Sequence, residues 1–268
     1  PHRVWPLRFG VPVFADSRVG TLRLKAGLFL YDWLAGALLG KFSHRYFKRT
    51  AFAQRFSMLA ERTLRGGFTY ADAQTDDARL VLELVAGAIA AGAVCVNYCQ
   101  LARLIETDGI ATGAVLTDQI GKESTEISAR KIVCASGQWT TSLAEGKNWC
   151  RLAKGIHLVL PASPCAEALL LTAPADGRVF FIIPWYGLTL LGTTDTDYHG
   201  ELQHIKVEPA DIDYLLAAAN HYLNTPWTRA DVINSYAGLR VLKQDMQSSS
   251  PSAVSRDWEL KTTGNGVH

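Results

Sequence analysis

Apolar positions recur along this chain with two periods, and the switches between them mark its elements. From Asp76 the pattern is helical. Val81, Leu84, Val85, Ala88 and Gly92 fall on one face at 3.6-residue spacing, while Arg79 and Glu83 point elsewhere. Asp76 and Asp77 stand where a helix N-terminus favours acids. Upstream, the run GLFLYDWLAGALLG (27–40) predicts a short buried helix. Short strands are predicted at 93–97 (AVCVN), 113–117 (GAVLT) and 131–135 (KIVCA), divided by the turn residues Asp108-Gly109 and Gly121. Helix, strand, hairpin and strand in that order make part of an α/β layer.

After Gly155 the texture turns to strands: IHLVL (156–160), ALLLT (168–172), RVFFIIP (178–184) and GLTLLG (187–192). The last two, joined at Trp185-Tyr186, predict a hairpin of an antiparallel sheet. Ile212, Leu215, Leu216, Ala219 and Leu223 mark a second amphipathic helix. It starts after Pro209, with Asp211 and Asp213 in its first turn. SYAGLRVL (235–242) is strand-like and QSSSPS (247–252) is loop, and no internal repeat is visible.

The 268 residues suffice for one large domain or two small ones. A hydrophobic share of 48% against 19% charged fits a folded globular chain and excludes a disordered or collagen-like one. The net charge of +2 gives no argument for nucleic acid, but its distribution is uneven. Residues 1–65 carry 12 Lys/Arg against 3 Asp/Glu, so the remainder is acidic. A basic first quarter suits an anionic lipid surface or an anionic ligand, or is simply a solvated face. The 5 cysteines include no CxxC pair and read as reduced, mostly buried thiols of a cytosolic protein. No run reaches the ~20 apolar residues of a membrane span. The first residue is Pro1, with neither an initiator Met nor a signal peptide, so a piece of a longer protein is expected.

No Walker loop, GxSxG elbow, zinc-type Cys/His spacing or GxGxxG fingerprint occurs. Asp195, Asp197, His199 and His204 fit no metal-ligand pattern and read as a loop with capping carboxylates, so no metal is expected. His157 alternates in its strand with Ile156 and Leu158, a pattern that by itself favours a structural histidine. Arg240 sits in an apolar segment, where a guanidinium needs an anion; a ligand phosphate or a salt bridge to Asp257 would each serve. Arg256, after a polar loop, is a second candidate cation, and Lys154 is a weaker one that need only complement charge. Thr193, Thr194 and Asp195 either line a site or satisfy their own turn.

Several segments nevertheless form a recognisable set in order. They are TDDARLVLELVAGAIAAGAVCVNY (75–98), IVCASGQW (132–139), RLAKGIHLVLP (151–161), FIIPWYGLTLLGTTDTDYHG (181–200), SYAGLRVL (235–242) and PSAVSRD (251–257). With the opening PHRVWPLRFGVP and the GLFLYDWLAG run, they resemble the FAD-dependent glycerol-3-phosphate dehydrogenases. That family lies within the wider glycine/D-amino-acid-oxidase-like flavoproteins, and the resemblance covers almost the whole chain. CASGQW stands where the family has an Ala-Thr-Gly-Pro-Trp type of turn, and GLRVL stands for Gly-x-Arg-Pro-Leu. The first keeps the Gly, and the second keeps the Gly and the Arg.

The resemblance implies an α+β fold with an α/β part: an incomplete Rossmann-like FAD domain plus a substrate cap with a mostly antiparallel sheet. On this reading residues 1–70 form a basic, aromatic segment of the cap, and 71–150 a partial FAD-binding domain. Residues 151–240 are the substrate-binding cap, and 241–268 return towards the FAD domain. The family's opening GxGxxG unit and closing Gly-Gly-Lys-Leu-Thr-like loop are not in the sequence, which therefore resembles a central fragment, inactive alone and without retained FAD. The implied activity of the parent enzyme is oxidation of sn-glycerol 3-phosphate to dihydroxyacetone phosphate, with FAD as cofactor and quinone as acceptor. His157 and Arg240 would be catalytic, Arg240, Arg256 and Thr194 would bind substrate, and Ser136 and Gly137 would meet the cofactor. The implied setting is cytoplasmic, peripherally attached to the inner face of the membrane, with no nucleic-acid partner and room for a homo-oligomer. Two alternatives stay open: an amine, amino-acid or 2-hydroxy-acid flavin oxidase of the same fold, and a degenerate non-catalytic binding module.

Overall fold

The computed structural model describes residues 4–36, 40–140, 149–244, 251, 254–255 and 258–268. Its Cα positions divide into two compact units. Unit one comprises residues 1–76, 154–195 and 205–238, and unit two 77–153, 196–204 and 239–268.

Unit one is built on a large, mostly antiparallel sheet. Its strands are β1 (Val4–Phe14), β2 (Arg45–Lys48), β3 (Leu64–Thr75), β7 (Cys150–Leu160), β8 (Ala168–Thr172), β9 (Val179–Trp185) and β10 (Leu188–Gly192), in the order β7-β10-β9-β8-β1-β3-β2. β1 and β8 run parallel, while the long β1–β3 ladder from Val4↔Thr75 to Phe14↔Leu64 is antiparallel. The short β11 (Thr196–Asp197) and β12 (Asn234–Lys243) both pair with β7. One sheet face carries α2 (Arg49–Arg55) and α4 (Pro209–Asn220) over a core that includes Phe52, Phe56, Leu158, Leu191, Leu215 and Ala219. The alternation that predicts β7 is realised there: Ile156, Leu158 and Leu160 are fully buried, while His157 lies half-exposed between them. Apolar area removed from water at roughly 25 cal/mol per Å² is what holds such a face together.

The opposite face carries α1 (Thr21–Leu34), and here the expectation from sequence is corrected. The helix forms but is not buried; only Leu28 and Asp32 lie inside, and Leu22, Phe29, Leu30, Trp33 and Leu34 face outwards. Its apolar residues run all round the helix, so a single stripe meets the sheet and the rest stays exposed. Asp32 is tolerated because its Oδ2 accepts the backbone N–H of His44 at 2.8 Å and lies 2.7 Å from Nδ1 of the same residue.

Unit two contains α3 (Asp77–Ala90) and a three-stranded antiparallel sheet in the order β4-β5-β6. The strands are β4 (Cys99–Thr107), β5 (Ile110–Asp118) and β6 (Ser124–Ser128). β5 contains the predicted 113–117, and the β4–β5 turn is Asp108-Gly109, both with positive φ. Two predicted strands are absent. Residues 93–97 form no ladder, and 131–135 make a single bridge: Cys134 N–H donates to the His268 carbonyl and His268 N–H to that of Ile132. A strand exists through its neighbours' hydrogen bonds, and an apolar run supplies none of them by itself. The helix is right but its apolar face is uncovered: Val81, Leu82, Leu84, Val85 and Ile89 are exposed. The thiols are likewise less buried than expected; Cys95 and Cys99 are exposed, Cys134 and Cys150 intermediate, and Cys165 alone is buried. The β9–β10 turn sits one residue later than predicted, at Tyr186-Gly187, both with positive φ.

Candidate functional site

His157 stands in β7 directly opposite Gly192 of β10. A Cβ built on Gly192 would come within 2.3 Å of His157 Cδ2 and 2.8 Å of its Nε2, so the imidazole lies over bare backbone that only glycine leaves open. The Tyr236 ring, from β12, stacks on the same imidazole with centroids 5.1 Å apart and planes 14° from parallel. Gly192 and Tyr236 are neighbours of His157 that the sequence patterns did not single out, although both stand inside the motif segments 181–200 and 235–242. The signal was there in the register. A strand histidine's partners are set by cross-strand pairing, which composition does not reveal.

The segment after β10 is fixed from two sides. Thr194 is only 2% exposed, and its hydroxyl accepts the N–H of Ile156 at 3.1 Å while donating towards the Lys154 carbonyl at 3.5 Å. An Arg178 Nη1 donates to the Asp195 carbonyl. Thr194 is thus brought to β7 beside His157, through its backbone. Lys154 is directed elsewhere. Its Nζ lies 2.8 Å from Asp211 Oδ2 and 3.7 Å from Glu208, at the acidic start of α4, where Asp211 also accepts the Glu208 N–H at 3.0 Å. Lys154 is 7% exposed, so the pair compensates a buried cation.

Unit two holds the other candidates. Arg240 is half-buried in β12. Arg256 and Asp257 lie outside the described residues. Ser136 and Gly137 open a 3₁₀ turn, Gly137–Trp139, in which Gly137 has φ +58° and nothing lies within 4 Å of a Cβ built on it. Ser136 Oγ lies 3.2 Å from Cys134 Sγ, and Cys134 lines a cavity of about 280 Å³ with Trp149, Leu242, Lys243, Trp258 and His268. The open turn lies beside a cavity whose lining mixes apolar residues with Lys243, Glu259 and Lys261, and it leaves room for the flank of a planar group such as a flavin. A pyrophosphate also needs a glycine-rich turn of N–H donors, and the sequence has no such turn. Asp197 is held by Arg151 through two bonds of 2.6 and 2.7 Å, and His204 Nδ1 lies 3.0 Å from Glu201. No cluster suited to a metal occurs among the described residues.

The chain is similar to known proteins over most or all of its length. The family model described as FAD dependent oxidoreductase matches residues 1–256. The aerobic glycerol-3-phosphate dehydrogenase of Bacillus subtilis is 35% identical over 277 residues, covering 100% of this chain and 49% of that protein. The D-erythritol 1-phosphate dehydrogenase of Brucella abortus is 33% identical over 275 residues, covering 98% and 53%. Among solved structures, the glycerol-3-phosphate dehydrogenase from Bacillus halodurans complexed with FAD superposes with a TM-score of 0.80 at 30% identity. That match covers 100% of this chain and 47% of the other. The chain spans about half the length of the curated relatives it matches.

Proposed function

The chain belongs to the FAD-dependent oxidoreductase family, and from that premise we propose that it is the central part of an enzyme that oxidises sn-glycerol 3-phosphate to dihydroxyacetone phosphate. The observation that carries this reading is His157. It is a half-buried imidazole flanked along its strand by the fully buried Ile156 and Leu158, held between Gly192 and Tyr236 in a chain whose relatives at this identity act on polyol phosphates by name.

Bound FAD would supply the two-electron oxidation by accepting hydride from C2 of the substrate. The chain's own residues then have three tasks. His157 takes the C2 hydroxyl proton, work suited to an imidazole near neutral pH. Arg240 and Arg256 bind the phosphate dianion, for which the guanidinium fork is the matching donor. Ser136 and Gly137 give the cofactor close access to the backbone. Loss of hydride and proton from one carbinol leaves the ketone, and the charges balance.

Quinone as acceptor, a homo-oligomeric state and a cytoplasmic position against the inner membrane face belong to the same proposal. Support for the membrane comes from α1, which exposes Leu22, Leu30, Trp33 and Leu34 beside the exposed cations Arg18, Arg23 and Lys25. Among the described residues no helix is long and apolar enough to cross a membrane.

The test is anaerobic mixing of the full-length enzyme with sn-glycerol 3-phosphate, D-erythritol 1-phosphate, glycerol and glycine. Only the phosphate esters should bleach the flavin at micromolar to millimolar concentrations. Arg240→Ala should lower kcat/KM for the phosphate ester by about 3 kcal/mol, the scale of a lost charged contact. Reduction by glycine or by unphosphorylated glycerol with comparable efficiency overturns the reading in favour of another oxidase of this fold.

A further inference from the structure

Resting on the reading of His157 as the proton acceptor, we propose that Gly192 and Tyr236 form a slot that sets the plane of its imidazole. Tyr236 is then a positioning residue for the reaction, not a core aromatic. The terminal torsion of a histidine is broad and roughly two-fold, so the backbone of β7 alone leaves the ring plane undetermined. Two contacts constrain it here. β10 flanks β7 through the register pair Gly192↔His157, and the Cδ2 edge of the imidazole lies so close over Gly192 that a methyl group has no room. β12 also pairs with β7, and from it the Tyr236 ring meets the imidazole within 14° of parallel at 5.1 Å. An offset stack at this spacing is the geometry aromatic rings prefer.

Burial does not account for Tyr236, because the residue is 50% exposed. A side chain placed for packing would sit deeper, whereas this ring stacks on the imidazole. The sheet therefore presents the histidine already turned, with its two ring nitrogens fixed in direction before substrate arrives. Proton abstraction depends on that direction, since the accepting nitrogen must come within hydrogen-bond reach of the hydroxyl, and a displacement near 1 Å can lower a rate on the order of 100-fold.

The experiment measures flavin reduction by sn-glycerol 3-phosphate in the full-length flavoenzyme, by stopped flow across pH, in five proteins: wild type, Tyr236→Phe, Tyr236→Ala, Gly192→Ala and His157→Ala. Tyr236→Ala should reduce the limiting rate about tenfold or more, change the apparent substrate Kd less than about threefold, and shift the pH midpoint of the rate. Tyr236→Phe, which keeps the ring, should stay within about threefold of wild type. In parallel, the His157 ring resonances of the ¹³C-histidine-labelled protein should lose their upfield ring-current shift and broaden in Tyr236→Ala but not in Tyr236→Phe. Gly192→Ala should be at least as impaired as Tyr236→Ala; if it does not fold, the two Tyr236 variants decide alone. A wild-type limiting rate and pH midpoint in Tyr236→Ala, with His157→Ala slowed, overturns the slot and leaves the functional reading standing. Equal loss in Tyr236→Phe and Tyr236→Ala also overturns it, because the hydroxyl and not the stack is then what matters. Unchanged flavin reduction in His157→Ala overturns the functional reading itself.

Discussion

The buried hydroxyl of Thr194 accepts the backbone N–H of Ile156 at 3.1 Å, so a side chain beyond the end of β10 stands in for a missing ladder partner of β7. This relationship fixes the strand immediately before His157. It also gives Thr194 a task other than direct substrate contact, and the two are separable. Thr194→Val keeps the shape and leaves a buried N–H unsatisfied, which should lower stability by about 1–3 kcal/mol. Urea unfolding should show a lower midpoint at unchanged m. If instead the midpoint holds while KM for the phosphate ester rises in the full-length enzyme, Thr194 touches substrate.

How much of this was legible beforehand depended on where each element's information resides. β7, β8, β9, β10 and α4 write their burial into local alternation or helical spacing, and Pro209 with Asp211 marks a helix start in any context. The ladder of β1 with β3 is different. Gly10 pairs with Thr69, some 60 residues on, and Gly-rich, aromatic strands such as LRGGFTYADAQT carry no clean period. β6, reading STEIS and wholly exposed, offers no apolar signal at all. Among the candidate residues, His157 and Gly137 could be picked from motif segments, but the stack of Tyr236 on His157 follows from the side-by-side placement of β12 and β7. Strand order is a property of the whole fold.

Alkaline stability offers a second prediction, centred on Tyr214 of α4. Its hydroxyl donates to the Asp176 carboxylate at 3.1 Å, and burial, reinforced by that negative charge and hydrogen bond, pushes its pKa up to about 12 from 10.0. The proton is therefore bound more tightly in the folded state. The resulting stabilisation is complete below pH 10, and it is lost as pH rises from 10 towards 12, because only the unfolded chain releases the proton there. Burial pushes Tyr70 and Tyr222 in the same direction, so the protein as a whole should lose stability steeply above pH 10. Tyr214→Phe removes one titrating group and should flatten the slope of unfolding free energy against pH in that window. An unchanged slope would mean that Tyr214 ionises alike in both states.

The exposed face of α1 leads to a third. If Leu30, Trp33 and Leu34 enter a lipid interface while Arg23 and Lys25 meet its headgroups, the two contributions respond to different variables. Full-length enzyme should sediment with vesicles of phosphatidylcholine and phosphatidylglycerol but not with phosphatidylcholine alone, and added salt should release it. Arg23→Gln with Lys25→Gln should weaken binding by about 1 kcal/mol for each charge removed. Trp33→Ser with Leu34→Ser should weaken it at every salt concentration. Equal binding to neutral and anionic vesicles would sink the electrostatic half of the argument, and wild-type binding by the serine variant the apolar half.

The last prediction concerns the cofactor. The 268-residue chain by itself should purify colourless, without absorbance near roughly 450 nm, the band of bound oxidised flavin. The pyrophosphate of FAD is anionic and is held by backbone N–H donors at a glycine-rich strand-to-helix turn, and the sequence contains no GxGxxG at which such donors could converge. What it offers is the open turn at Ser136-Gly137 and the cavity of about 280 Å³ that Cys134 lines with Trp258 and His268. Those contacts address a flat, largely apolar ring. A ligand with many rotatable bonds must lose that freedom on binding, and contact at one end does not offset the loss. Free riboflavin or lumiflavin, which lack the pyrophosphate, should accordingly bind the chain about as weakly as FAD does, within roughly threefold, because the part that distinguishes them has nothing to meet. Fluorescence quenching titrations of the three flavins compare them directly. A stoichiometric yellow complex, or FAD binding tighter than lumiflavin by a hundredfold or more, would mean that these residues include a pyrophosphate anchor of another kind.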